Sequence, residues 1–172
     1  MAHATVTLYA QPYDITATGF YFKTYEEYGE KVEALKNEAG LPVEEFEIQF
    51  IDGDSVEACF AKAIGLNQVN VEKFLECVED WGGDEMIRAI IMVQDGLADF
   101  DDNSEPSDFE DIDVYEDMTM TELAEHFADE GLFGDIPEAI AGYLDYEKIA
   151  RDLSMDYSET TVDGRRFIYR TC

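Results

Sequence analysis

Residues 44–50, EEFEIQF, alternate without a break, with Phe46, Ile48 and Phe50 on one face and Glu45, Glu47 and Gln49 on the other. Successive side chains of a strand point to opposite faces, so this pattern predicts a strand with one face buried. Working upstream, TYEEYGEKVEALKNEAG (24–40) has a helical period. Thr24 and Glu27 are spaced as a capping box, Tyr25, Tyr28, Val32, Leu35 and Ala39 form the apolar stripe, and Gly40 is the expected stop. TVTLYA (5–10) and TGFYFK (18–23) are rich in Thr and aromatics and predict two further short strands. The first fifty or so residues therefore read as a small sheet with one helix across it.

Downstream the pattern changes. Helical periods near 56–64, 71–81 and 85–94 follow one another, with Ser55, Asn70 and Asp84 as expected N-caps and no strand between them. After an acidic stretch, Thr119 and Glu122 box a helix that Gly131 closes. Asp135 is the expected cap of DIPEAIAGYL, with Pro137 in its first turn, and Asp145 the expected cap of YEKIARDLSM. YSETTV and RRFIYRT flank Asp163-Gly164, which predicts a C-terminal hairpin. The expected fold class is α+β, as three small domains: 1–53 α+β, 54–112 helical with the acidic stretch, and 113–172 α+β. Pieces this small bury little surface alone and must lean on one another or on a second subunit.

The charge is lopsided. The 172 residues hold 41 Asp and Glu against 11 Lys and Arg, a net charge of -30. With 46% apolar residues the chain folds rather than behaving as an acidic polymer. Residues 98–117, ADFDDNSEPSDFEDIDVYED, carry ten carboxylates in twenty positions and no base. They lie in a run of 59 residues, Ala89 to Glu147, that lacks Lys and Arg and holds nineteen acids. Several are three or four apart on predicted helices, where like charges repel. Folding at such charge works against stability, so the charge points to a partner. Phosphate contacts need Lys and Arg, which disfavours nucleic acid and anionic membrane as partners and favours a basic protein or a multivalent cation. Duplex DNA carries a charge per about 1.7 Å of axis, so thirty charges match about 50 Å, roughly fifteen base pairs. The candidate DNA-like surface comprises Asp99, Asp101, Asp102, Glu105, Asp108, Glu110, Asp111, Asp113, Glu116, Asp117, Glu122, Glu125, Asp129 and Glu130.

Catalytic machinery is not legible. The two histidines, His3 and His126, sit in no HExxH or ExxH pattern, and no GxSxG, Walker loop or GxGxxG occurs. No cofactor or metal is expected, and the chain is not expected to be an enzyme. From Asp99 the spacing of Asp101, Asn103 and Glu110 matches EF-hand ligands. The sixth position has Ser104 where a sharp turn needs Gly, and the eighth has Pro106. Cys59 and Cys77 fall in apolar helical patterns and Cys172 at the end, with no CxxC pair. Without an apolar span or a signal-like start, the expected compartment is the cytoplasm.

LAEHFADEGLFGDIPEAIAGYLDYEKIARDLSMDYSETTVDGRRFIYR (123–170) closely resembles the C-terminal region of the ArdA antirestriction proteins, acidic DNA mimics carried on bacterial mobile elements. The EGLFG-x-IP run followed by YLDYEKIARDL carries the resemblance. The middle is similar in character and the start loosely. Where the family has Tyr-Asn-x-Gly and then Gly-x-Trp, this chain has Tyr13-Asp14 and then Gly19-Phe20-Tyr21. The resemblance implies an elongated, curved chain of three domains, paired as a homodimer, occupying the DNA-binding groove of Type I restriction-modification enzymes at their methyltransferase core. Restriction, and often modification, would be blocked. The family's antirestriction motif matches Leu123 to Pro137 and is associated with the dimer contact. Leu132, Phe133 and Ile136 crowd that short connection. They are either local core or the subunit seam, and the resemblance implies the seam. The alternative function is an acidic adaptor for another basic DNA-binding protein, such as a nucleoid protein or repressor; a calcium module is a third.

Overall fold

Strict alternation around residue 46 builds a sheet. The computed structural model describes residues 5–172; residues 1–4, His3 among them, lie outside the description. Strands β1 (Thr7–Pro12), β2 (Phe20–Phe22) and β3 (Phe46–Asp52) form an antiparallel sheet in the order β2-β1-β3. Leu8, Ala10, Phe22, Phe46 and Ile48 are buried on its inner face. Helix α1 (Tyr25–Ala34) crosses that face through Tyr28, whose ring lies 4.9 Å from Phe22 and 6.2 Å from Phe46. Its cap is Thr24, which accepts from the Glu27 N–H at 3.1 Å, while the Glu27 carboxylate takes the Lys23 N–H at 2.9 Å.

The helix expected to reach Gly40 stops five residues earlier, at Leu35, whose ψ of 129° is extended. Asn37 supplies the reason. Its side-chain oxygen accepts the N–H groups of Ala39 and Leu41 at 3.0 and 2.9 Å, offering the backbone a turn in place of helix. A bridge between Lys36 and Pro42 closes that turn.

Three helices follow, α2 (Ser55–Ala63), α3 (Val71–Asp80) and α4 (Gly83–Gln94), then a 3-10 turn, Pro106–Phe109. Asn70 stands at the N-cap position expected for α3, while the other two caps differ from expectation by a residue or two. Asp54, not Ser55, caps α2, because its carboxylate reaches the Val56 N–H and Glu57 returns the bond to Asp54. Gly82 precedes α4, and Glu85 accepts its N–H at 2.6 Å. Asn70 precedes α3 but spends its side-chain oxygen on the Asn67 N–H. Aromatic rings fill the centre: Phe60 lies 5.9 Å from Phe74 and 5.8 Å from Trp81, and Phe50 of β3 meets Phe74 at 6.4 Å. All of this belongs to one compact unit, which ends at Glu110.

Asp111–Cys172 is the second compact unit. It comprises β4 (Ile112–Glu116), α5 (Met120–Asp129), α6 (Glu138–Ala141), α7 (Tyr146–Leu153), β5 (Ser158–Val162) and β6 (Arg165–Thr171), with antiparallel strand order β4-β6-β5. Leu123, Phe127, Tyr157 and Ile168 form its core. Between β5 and β6, Asp163 (φ 52°) and Gly164 (φ 70°) both take the left-handed conformation that a two-residue turn of this kind requires. Thr119 and Glu122 form the capping box of α5, and Asp145 caps α7. Asp135 does not cap α6. Proline disfavours helical backbone in the residue before it, so the helix cannot include Ile136, and Pro137 itself becomes the cap. The fold is thus mixed α+β, with two small antiparallel sheets.

Candidate acidic interaction surface

The acidic stretch is ordered because apolar residues inside it are anchored. Phe109 is 1% exposed and lies 5.9 Å from Trp81, while Phe100 meets Phe60 at 5.4 Å and Trp81 at 6.3 Å. Between these plugs the chain bonds to itself. Ser104 is buried and accepts the Asp101 N–H at 2.9 Å, the Asp101 carboxylate takes the Asn103 N–H at 2.7 Å, and Asp108 takes the Glu105 N–H at 2.8 Å. Those bonds fix a loop whose remaining carboxylate oxygens face water. Lys73 is the cation beside it, 3.9 Å from both Glu76 and Glu105.

β4 continues the acidic run as an edge strand, which was not foreseen. Ile112 is buried on the inner face. Asp113 pairs with Arg170 across the ladder at 3.2 Å, and Glu116 pairs with Arg165. The signal was present in the alternation of Ile112 and Val114 with Asp113, but a five-residue strand with two acids does not stand out from the acidic stretch around it. On α5, Leu123, Ala124 and Phe127 face the core while Glu122, Glu125, Asp129 and Glu130 are exposed. Of the fourteen candidate acids thirteen are exposed and Asp113 is half-buried. Four of them, Glu105, Asp113, Glu116 and Glu130, have a cation or imidazole within 4.0 Å; the other ten have none among the described residues. The candidate acids lie in both compact units, from Asp99 to Glu110 in the first and from Asp111 onward in the second.

Among the described residues no three His, Cys, Asp or Glu are placed to hold a metal ion. Burial pushes the Cys77 thiol up to about 12, so it stays protonated at neutral pH. His126 is half-buried on α5, with Nε2 3.6 Å from Glu130 and its ring 6.2 Å from Tyr115. A groove of about 400 Å³ in the first unit sets Lys23 and Tyr25 opposite Glu72, Glu76 and Glu79. No helix among the described residues is long and apolar enough to cross a membrane.

Apolar side chains are exposed between α5 and α7. Leu132 is 60% exposed and Phe133 47%, with Ile136 half-buried, and Ile140 and Tyr143 follow, also exposed. Phe133 keeps an edge contact with Phe127, ring centres 6.4 Å apart. The sequence pattern left core and seam open for these residues; within the chain, Leu132 and Phe133 are not core.

These features define an acidic α+β protein with two small antiparallel sheets and an ordered, exposed acidic stretch. The chain belongs to the ArdA antirestriction protein family, whose pattern it matches over residues 13–166. A comparison with curated proteins finds no match.

Proposed function

We propose that this antirestriction protein acts as a mimic of B-form DNA, occupying the DNA-binding groove of a Type I restriction-modification enzyme at its methyltransferase core. One observation carries the reading: ten exposed carboxylates without a cationic neighbour, on backbone that Phe100, Phe109 and Ile112 anchor in the acidic stretch and Leu123 and Phe127 anchor in α5. A phosphate backbone likewise presents fixed negative charge, and the positive channel that accepts one would accept this surface. The protein contributes no reaction of its own and needs no cofactor. The reading includes an elongated chain of three small domains, dividing near 53 and 112. It includes a homodimer joined at Leu132, Phe133 and Ile136, and action in the bacterial cytoplasm.

The test is displacement of labelled duplex from a Type I methyltransferase core as salt is raised. Affinity should fall steeply, because screening weakens contacts built from many exposed charges. Single changes such as Asp111→Asn should be nearly silent, and six or more neutralised together should progressively abolish inhibition. One carboxylate whose loss alone removed activity would point to a specific site instead. Binding a histone-like protein equally well, without displacing DNA from the enzyme, would favour the adaptor alternative.

A further inference from the structure

Far along the chain from the acidic run, the first unit exposes three large apolar side chains on two turns that are tied together. Ile15 is 96% exposed, Tyr13 65% and Leu41 59%. They are not loosely held. Asp14 accepts from the N–H and hydroxyl of Thr16 at 2.9 and 2.7 Å, and its other oxygen takes the Asn37 amide at 2.9 Å. Asn37 in turn binds Leu41 twice, its N–H donating to the Leu41 carbonyl at 3.0 Å and its side-chain oxygen accepting the Leu41 N–H at 2.9 Å. The Tyr13 N–H donates to the Glu45 carbonyl at 3.1 Å, which fixes the turn to the start of β3. Asn37, then Thr16, hold the Asp14 carboxyl below its ordinary range, so the tie is intact at neutral pH.

We infer that the paired turns bearing Tyr13, Ile15 and Leu41 form a preordered apolar contact that docks on an apolar patch bordered by cations on the target enzyme. The inference rests on the proposed function and adds to it a contact that DNA does not make. Ordered apolar side chains left in water serve no folding purpose, and preordering lowers the entropy lost on binding. Charge selects the occupant. Along the sequence the three apolar residues are flanked by Asp14, Glu38, Glu44 and Glu45, with Lys36 the one base in residues 32–61. An anionic lipid surface would repel this rim, and a second copy, which the proposed function seats at Leu132, Phe133 and Ile136 instead, would bring the same acids against it. A basic enzyme presents the complementary rim. Such a contact supplies a part of the affinity that salt does not screen.

The experiment uses Tyr13→Ser/Ile15→Ser/Leu41→Ser in the full chain, which leaves the net charge unchanged. Displacement of labelled duplex from a Type I methyltransferase core is measured at several salt concentrations, beside circular dichroism and sedimentation. The expected result is a loss of affinity of at least about tenfold at every salt, with the slope of log affinity against log salt unaltered. Affinity within about twofold of the parent overturns the inference, as does a loss confined to low salt or a change in oligomeric state. If the triple variant loses its fold, Ile15→Ser alone carries the test, with a loss of about threefold expected and parental affinity overturning it. A parent chain that fails to displace DNA overturns the proposed function and this inference together. A parent with a steep salt slope and a triple variant equal to it overturns this inference alone.

Discussion

Gly19 has no room for a methyl group. A Cβ built there would lie 2.4 Å from the Tyr9 hydroxyl oxygen and 2.5 Å from the Ala10 carbonyl oxygen, and the second is backbone at the centre of the sheet. Gly19→Ala should therefore destabilise the first unit by about 1–3 kcal/mol, read as a lower urea midpoint at unchanged slope. An unchanged midpoint would mean that β2 swings aside without loss. At this scale the sequence was legible where one short side chain decides the outcome locally, as at Thr24, Thr119, Asp145 and the pair Asp163-Gly164. It was not legible where neighbours competed. Asp54 and Ser55 are both good caps, and only the backbone position of Glu57 selects Asp54. Asn37 looks like a helix residue with a helical neighbourhood, yet its amide does more by tying Leu41 and Asp14. That tie joins residues 23 apart, which no local pattern reveals.

Elements were legible in proportion to their apolar periodicity. β3 announces itself because Phe46, Ile48 and Phe50 are large and unbroken, whereas β4 sets Ile112 and Val114 against two acids inside a longer acidic run and was hidden. Ion pairs with Arg170 and Arg165, fifty or so residues away, help that acidic strand form, and such partners cannot be read from the strand itself. The connection between α5 and α6 posed the opposite difficulty: its apolar residues were plain, but not the side they face. Leu132 and Phe133 are exposed in the chain, so the dimer reading makes a definite expectation. Phe133→Asp should fold with an unchanged circular dichroism spectrum, lose under about 1 kcal/mol because little is buried there, and sediment as a monomer. Unfolding would place Phe133 in the core after all, and a persistent dimer would move the seam elsewhere. The monomer should keep part of its inhibition, since one subunit still presents the acids of both its units.

At the scale of the whole molecule one quantity acts in two directions. A net charge of -30 on 172 residues repels itself in the folded state, and the unfolded chain relieves that repulsion by expanding. The ion pairs of Lys31, Lys73, Arg165 and Arg170 with their acidic neighbours are mostly partly exposed, and exposed pairs contribute about 0–1 kcal/mol each. The sequence showed this imbalance directly, since composition needs no fold to be counted. What composition cannot show is that the carboxylates sit on fixed backbone, which depends on Phe100 and Phe109 finding Trp81. The two consequences carry opposite signs in salt. Raising sodium chloride from ~0.01 M to ~1 M shortens the screening length from about 30 Å to about 3 Å, which removes long-range repulsion within the fold and attraction to a basic target alike. The thermal midpoint should therefore rise with salt, by about 2–4 °C for each kcal/mol of repulsion relieved, while affinity for the methyltransferase core falls over the same range. A midpoint that fell with salt would show that the ion pairs outweigh the repulsion, and the charge would then have a structural purpose. A midpoint that rose while binding stayed constant would separate the charge from recognition and leave the apolar contacts to account for the inhibition.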